Sequence, residues 1–167
     1  SIKAVLPRLT AASEMGIALA KRDAATALEW ANSIGAHSER TMAMASVATV
    51  ISGADPARAA SSLKSFLQKI QDEYTQRREK DRQQAGVKAE DEFQTSELYE
   101  EYLETNGNVL MQPHTPEADY LLKASEQIGF QLAKISPHGA LAWAESLAVQ
   151  IAQAHAISGA LSGWSTT

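Results

Sequence analysis

The 167-residue sequence contains no cysteine, which excludes disulfide bonds and thiolate metal sites. It has no excess of basic residues either: the formal net charge is −5, so no nucleic-acid or anionic-membrane surface is indicated. No apolar run approaches the roughly 20 residues that a membrane-spanning helix needs, and the N-terminal segment lacks the apolar stretch of a signal peptide. These absences leave the compartment open, with a cytoplasmic location only slightly favoured.

The residue patterns of catalysis and metal binding are also missing. The four histidines form no zinc-binding arrangement of known type. The glycines of Ser158–Gly163 do not have the spacing of a nucleophile elbow. The glutamates between positions 97 and 104 lack the Glu-x-x-His pairs of ferritin-like metal sites. We therefore predict no enzymatic activity, no cofactor and no metal site.

What the sequence does contain is an internal repeat. The stretches "ALEWANS" at Ala27–Ser33 and "ALAWAES" at Ala140–Ser146 are nearly the same, and the second follows the first at a sequence offset of 113. The match of Trp30 with Trp143 carries weight, because the chain has only three tryptophans.

A shorter repeat, with a period of 32, lies inside this one. Apolar residues at steps of three and four indicate one face of a helix, and a period near 32 is the length of a helical hairpin, the unit of α-solenoids. The sequence therefore predicts an all-α fold of stacked antiparallel helical hairpins. The residues that align at this spacing are Arg8 with Arg40, Ala11 with Ala43, Met15 with Val47, Leu19 with Ile51, and Asp23 with Asp55.

Helix starts are predicted in the same register. Asp55-Pro56, Thr115-Pro116 and Ser136-Pro137 each place a capping oxygen before a proline at the first helical position. Because the chain begins and ends on unit boundaries without an initiator Met, we expect it to be either a processed chain or a part of a longer protein. The prediction is one domain over 1–167, with units at about 1–22, 23–54, 55–135 and 136–167, the third interrupted by an insertion at about 71–115.

The three tryptophans are predicted to have structural roles. Trp30 and Trp143 lie one turn after Ala27 and Ala140, which are small enough to let a neighbouring helix approach while the indole fills the space beside them. Trp164 takes the repeat position that Leu, Ile and Leu hold in the other second helices.

The insertion differs from the rest in composition. Gln71–Thr105 holds 11 acidic and 5 basic residues, a local charge of −6, and helix formers continue without a breaker up to Gly86. Two interpretations stay open: a solvated excursion, or a projecting arm that binds a protein or a second copy of the chain. Tyrosine flanked by charge is common at interfaces. The candidate contact residues of the arm are Phe93, Tyr99, Tyr102 and Leu103.

Two further basic features are candidate binding surfaces. Arg8 and Arg40 share one repeat position, where they either line a common partner-binding surface or neutralise the ends of adjacent helices. The segment Arg77–Arg82 has four basic residues, but the acidic residues within and after it cancel most of their field, so nucleic-acid binding is not expected.

The whole pattern resembles the tetratricopeptide-like class of helical repeats. The two "AL-x-WA-x-S" helices and the "R-x-x-A-x-x-x-[VM]-x-x-x-[IL]-x-x-x-D" helices carry this resemblance, over about 1–70 and 115–167. The period is 32 instead of 34, and the tryptophan follows Ala-Leu instead of opening the repeat, so the likeness is architectural. It implies a non-enzymatic scaffold that presents a concave surface to a peptide or protein. The alternative is a helical accessory domain of a larger enzyme whose catalytic part lies outside this chain.

Overall fold

A computed structural model describes residues 2–85 and 115–166 of the chain. These residues contain no β-strand, so the predicted all-α fold class is confirmed for them. Nor does any described helix combine the length and apolarity needed to cross a bilayer. The helices are α1 (Ile2–Arg22), α2 (Ala24–Ser33), α3 (His37–Ser52), α4 (Pro56–Ala85), α5 (Pro116–Ile135), α6 (Pro137–Glu145) and α7 (Gln150–Ser165).

The first three helices and the last three have matching bounds. Adding 113 to the bounds of α1, α2 and α3 gives 115–135, 137–146 and 150–165, which agree with α5, α6 and α7 to within one residue. The spacing between Trp30 and Trp143 therefore relates three consecutive helices to another three.

Side-chain caps fix the helix starts that the sequence predicted. The carboxylate of Asp23 accepts a hydrogen bond from the N–H of Ala25 at 2.8 Å. At the equivalent position of the second set of helices, the Ser136 hydroxyl accepts one from the N–H of Gly139 at 3.1 Å. The side chains of Asp55 and Thr115 accept equivalent bonds at the starts of α4 and α5. Each of these oxygens satisfies a backbone donor that the first helical turn leaves unpaired.

The helices contact one another in a regular order. The odd-numbered helices follow in series, with α1 against α3, α3 against α5 and α5 against α7. Each even-numbered helix packs on the two odd-numbered helices that flank it in the chain. Helix α1 runs parallel to α3, and α5 runs parallel to α7, because three residue pairs that meet between them share a sequence separation of 33. These pairs are Ser13 with Ser46, Glu126 with Gly159, and Phe130 with Gly163.

Helix α3 lies at the centre of the core. Eight consecutive residues, Thr41–Ala48, are buried, as expected for a helix that is covered on all sides and not for one with a single apolar stripe. Half of them are alanine or serine, and this small size lets α1, α2, α4 and α5 all approach.

The two repeated tryptophans occupy equivalent positions on α2 and α6. Trp30 and Trp143 are half-buried and both pack against the main core. Ala27 and Ala140, one turn earlier, are completely buried. The indole N–H of Trp143 also donates to the carbonyl of Ala60, at 3.0 Å, and so ties α6 to α4.

The third tryptophan lies in a more open place. Trp164 is 45% exposed, and its ring lies beside that of His138 with centroids 5.8 Å apart. Leu19, Ile51 and Leu132, at the same repeat position, are all half-buried or buried. Trp164 therefore contributes less buried surface than the other two tryptophans.

Helix α4 continues far beyond the length of its neighbours, as the sequence predicted. It spans 30 residues, and its apolar stripe is buried as far as Tyr74. From Thr75 to Lys80 every side chain except Arg78 is exposed. The candidate arm residues Phe93, Tyr99, Tyr102 and Leu103 lie outside the described residues.

Candidate partner-binding surfaces

A shallow groove lies between the parallel helices α5 and α7. Its volume is about 250 Å³. One wall comes from α5 and carries charge and an aromatic ring, whereas the α7 wall is made of small residues. The lining residues are Lys123, Glu126, Gln127, Phe130, Gly159 and Ser162.

Glycines on both helices let α5 and α7 come unusually close. A Cβ atom built on Gly159 would lie 1.9 Å from the carbonyl oxygen of Glu126, and one on Gly163 would lie 2.4 Å from that of Phe130. On the other helix, a Cβ on Gly129 would lie 2.3 Å from the carbonyl oxygen of Ala156. No side chain fits at these distances, so the backbones meet directly and the groove floor stays shallow.

The outward side of α5 carries a stripe of aromatic and basic residues beside this groove. The Lys134 ammonium lies 4.4 Å from the centroid of the Phe130 ring, and the Lys123 ammonium lies 5.7 Å from that of Tyr120. Such cation–π contacts hold the ammonium groups near the rings at exposed sites. We call this surface the α5 stripe; its residues are Tyr120, Lys123, Gln127, Phe130 and Lys134.

One acidic residue interrupts the positive charge at the groove. Glu126 lies 3.8 Å from Nδ1 of His155 on α7, and both side chains are well exposed. An exposed pair of this kind contributes little to stability and can rearrange when a ligand arrives.

The equivalent place between α1 and α3 has a different chemistry. Ser46, at the position of Gly159, is buried and shares a 2.8 Å hydrogen bond with Ser13. Ile17 stands where α5 has Phe130, and Thr10 stands where α5 has Lys123. Lys21 keeps the position of Lys134, so the first unit differs from the α5 stripe in lacking Phe130 and Lys123.

A second polar cluster, the polar junction, forms where α3, α4 and α5 meet. Arg40 on α3 donates a hydrogen bond to the Glu73 carboxylate on α4 at 3.3 Å, within an ion pair whose arginine side chain is only 14% exposed. Burial, followed by the nearby Arg40 and Arg77 guanidinium groups, holds the pKa of His37 below its ordinary value, and Glu73 and Glu117 oppose this only in part. The polar junction holds α4 against α3 just before the exposed C-terminal part of α4 begins at Thr75.

The two arginines predicted at one repeat position have different surroundings. Arg8 is exposed on α1, whereas Arg40 is largely buried and bound to Glu73. Arg40 therefore stabilises the contact between α3 and α4, and a surface shared by both arginines stays a prediction.

Metal-binding groups do not cluster in the part of the chain that the structure describes, where no set of three or more His, Asp or Glu side chains could hold an ion. A wider depression of about 720 Å³ follows the polar side of α4, and its described lining residues, from Ser61 to Gln76, all belong to that one helix.

Comparison of the chain with protein-family models, with curated proteins and with solved structures finds no match.

Sequence reasoning missed the α5 stripe and the groove beside it. The signal was present, because Tyr120, Lys123, Gln127, Phe130 and Lys134 follow each other at steps of three and four along one helix. The acidic insertion has the more unusual composition, so the stronger compositional signal in the sequence lies there and not on α5.

Proposed function

We propose that this protein is a non-enzymatic scaffold of stacked helical hairpins that binds a protein or peptide. The order of helix contacts supports this architecture, because α2–α3, α4–α5 and α6–α7 are successive pairs joined in one series. The parallel odd helices support it as well, since stacking of hairpins repeats each helix in the same direction.

The groove between α5 and α7, with the α5 stripe beside it, is the partner site in this proposal. One observation supports this proposal above the others: a half-buried aromatic ring, Phe130, lies at the edge of the groove, and the Lys134 ammonium lies 4.4 Å from its centroid. Aromatic anchors surrounded by polar residues are typical of the residues that dominate binding at protein interfaces.

The size of the groove favours a peptide side chain over a small-molecule ligand. Its volume of about 250 Å³ is below the roughly 300–1,000 Å³ of small-molecule sites. It suits one large apolar side chain, with acidic residues of the same partner next to Lys123 and Lys134.

The acidic insertion is a second element of the proposal. Helix α4 exposes polar side chains beyond Tyr74, and the polar junction anchors it just before that point. This arrangement supports an arm that projects from the body and offers Phe93, Tyr99, Tyr102 and Leu103 to a partner.

The experiment selects short random peptides on the intact protein and measures the dissociation constants of the enriched sequences by fluorescence anisotropy. Phe130→Ala should weaken binding by about 30-fold or more, the loss expected for an interface anchor worth about 2 kcal/mol. Ile17→Ala changes the equivalent position on α1 and is the matched control, which should leave the dissociation constant within about twofold. Enrichment of no peptide, or binding that Phe130→Ala leaves intact, would contradict the proposed site.

A further inference from the structure

Two helix faces at opposite ends of the series are exposed, although the inner helices bury the residues at the repeat positions of Met15 and Leu161. Met15 on α1 and Leu161 on α7 are each 52% exposed. We call these the α1 end face and the α7 end face. The first consists of Ala11, Glu14, Met15 and Ala18, and the second of Ser158, Leu161 and Ser162.

Inside the chain, the same positions form the contacts between successive odd helices. Gly16 on α1 lies against Ala43 and Val47 of α3. Its counterpart in the second set of helices, Gly129 on α5, lies against Ala156 of α7 in the same way. The contact between α1 and α3 and the contact between α5 and α7 therefore join the same repeat positions, although the backbones of α5 and α7 come closer together.

If the same residue pairing is applied to α7 and a helix that follows it, the pairing predicts which residues would contact the α7 end face. Leu161 follows Gly129 by one hairpin period of 32, so it holds the corresponding position on α7. In the contact between α5 and α7, Gly129 faces Ala156 and Ala160. Ala11 and Met15 hold the corresponding repeat positions on α1, so they would face Leu161. The two exposed end faces are thus the two sides of a contact that the chain already makes twice.

We propose that a second copy of this chain docks its α1 end face onto the α7 end face, head to tail. The occupant follows from continuity, because the contact between α3 and α5 already joins the last helix of one three-helix unit to the first helix of the next. In the proposed dimer, α7 of one chain would contact α1 of the other chain as α3 contacts α5 within one chain. A head-to-tail contact leaves one free face at each end, so further copies can add.

The side chains on the two faces are compatible with this docking. Ser158 would meet Glu14 as Ser13 meets Ser46, with a hydroxyl available to donate to the carboxylate. Leu161 is larger than its counterparts Gly16, Ala48 and Gly129, so the helices stay further apart than inside the chain. Ala11 leaves room for it and the flexible Met15 can adapt its shape. The contact is therefore weaker than the internal ones, and association depends on concentration.

The test is the mass of the 167-residue chain in solution, measured by sedimentation equilibrium from about 10 µM to about 1 mM. The weight-average mass of the wild type should rise above 18.0 kDa with concentration. Met15→Glu and Leu161→Glu each place a charge in the contact, so each variant should stay near 18.0 kDa. Ile135→Glu is the control, because Ile135 is 72% exposed but belongs to neither end face, and it should behave as the wild type.

Mixing the two variants identifies the head-to-tail geometry. The α7 end face is intact in Met15→Glu and the α1 end face is intact in Leu161→Glu, so one contact can form between them and no more. An equimolar mixture should therefore reach twice 18.0 kDa, about 36 kDa, and stop there.

Three results would overturn the proposal. The first is a wild type that stays at 18.0 kDa over the whole range. The second is a mixture that remains monomeric, or a control that loses association as the end-face variants do. The third is association that survives both end-face variants but disappears when residues 86–114 are replaced by a short linker, which would assign it to the acidic insertion. The peptide-binding test at Phe130 concerns a different residue and can fail separately, although Ser162 both lines the groove and belongs to the α7 end face.

Discussion

The unit α1–α3 and the unit α5–α7 share helix bounds and the position of a tryptophan, but they bring their parallel helices together differently. Between α5 and α7, glycines allow backbone to meet backbone, as at Gly159 and Glu126. Between α1 and α3, side chains separate the helices, and Ser13 and Ser46 share a hydrogen bond there. The same sequence of helices can therefore be held by backbone contact or by side-chain contact.

This difference has a consequence for surface chemistry. The close approach at Gly159 leaves a shallow groove whose rim carries Phe130 and Lys123. Ser46 occupies the corresponding place in the first unit and is buried. Two units with the same order of helices thus differ at this place: the first holds a buried serine there, and the second leaves an open groove.

The largest effect is expected at the repeated tryptophans. Trp143→Ala should lower the free energy of unfolding by about 3 kcal/mol, the low end of the range for a buried tryptophan because this one is half-buried. Trp30→Ala should cost about 1 kcal/mol less, because the described residues include no bond from Trp30 to match that of Trp143 to Ala60. Urea unfolding followed by far-UV circular dichroism measures both.

Trp143→Phe is the control for that comparison, since it keeps an aromatic ring but removes the N–H donor. It should recover most of the stability lost in Trp143→Ala. Equal losses in Trp30→Ala and Trp143→Ala would show that the bond to Ala60 contributes nothing to the difference.

Exchanging the residue that separates the parallel helices should give the next largest effect. Gly159→Ser introduces the residue of the first unit into the second, where its Cβ would lie 1.9 Å from a backbone oxygen. Forcing the helices apart should cost about 1–3 kcal/mol in urea unfolding. Ser46→Gly, the reverse exchange, should cost about 1–2 kcal/mol through the lost hydrogen bond and lower helix propensity.

Gly35→Ser serves as the control, because a Cβ at Gly35 meets nothing within 4 Å. It should leave stability nearly unchanged. If Gly159→Ser were as mild as this control, α5 and α7 would be able to separate freely, and the contrast between the two units would be lost.

Local signals made the helix starts predictable from the sequence, whereas the groove was not. Asp55, Thr115 and Ser136 cap helices through bonds to residues three positions away, so the sequence itself contains both partners. The groove depends on Gly159 meeting Glu126, and that pair is defined only once α5 and α7 are known to be neighbours and parallel. Glycines within a helical segment were the available signal, and their steps of four residues indicate a close contact without identifying its partner.

A smaller effect is expected at the caps, where the first unit has Asp23 and the second has Ser136. A hydrogen bond from the Thr26 hydroxyl, together with bonds from the backbone N–H groups of Thr26 and Ala25, holds the pKa of Asp23 below its ordinary value of 3.8. The stabilising contribution of this carboxylate is therefore present above pH 3.8 and is lost as the pH falls through the lowered pKa.

Asp23→Ser replaces the residue that caps α2 with serine, the residue that caps α6 at the equivalent position. It should change stability little at neutral pH, because serine is also a good cap. It should lose less stability than the wild type when urea unfolding is repeated at decreasing pH below about 4. The same acid sensitivity in both proteins would assign it to other carboxyl groups.

The smallest effect concerns the position where the first unit has His37 and the second has Gln150. Burial and the Arg40 and Arg77 guanidinium groups hold the pKa of His37 below 6.5, so the unfolded chain takes up the proton at a higher pH than the folded one. The stability that the neutral imidazole contributes is present above pH 6.5 and is lost as the pH falls from there towards the lowered pKa. His37→Gln, which gives α3 the first residue of α7, should therefore reduce the fall in the urea midpoint between pH 7.5 and about 5.5. An unchanged fall would assign the pH dependence to groups other than His37.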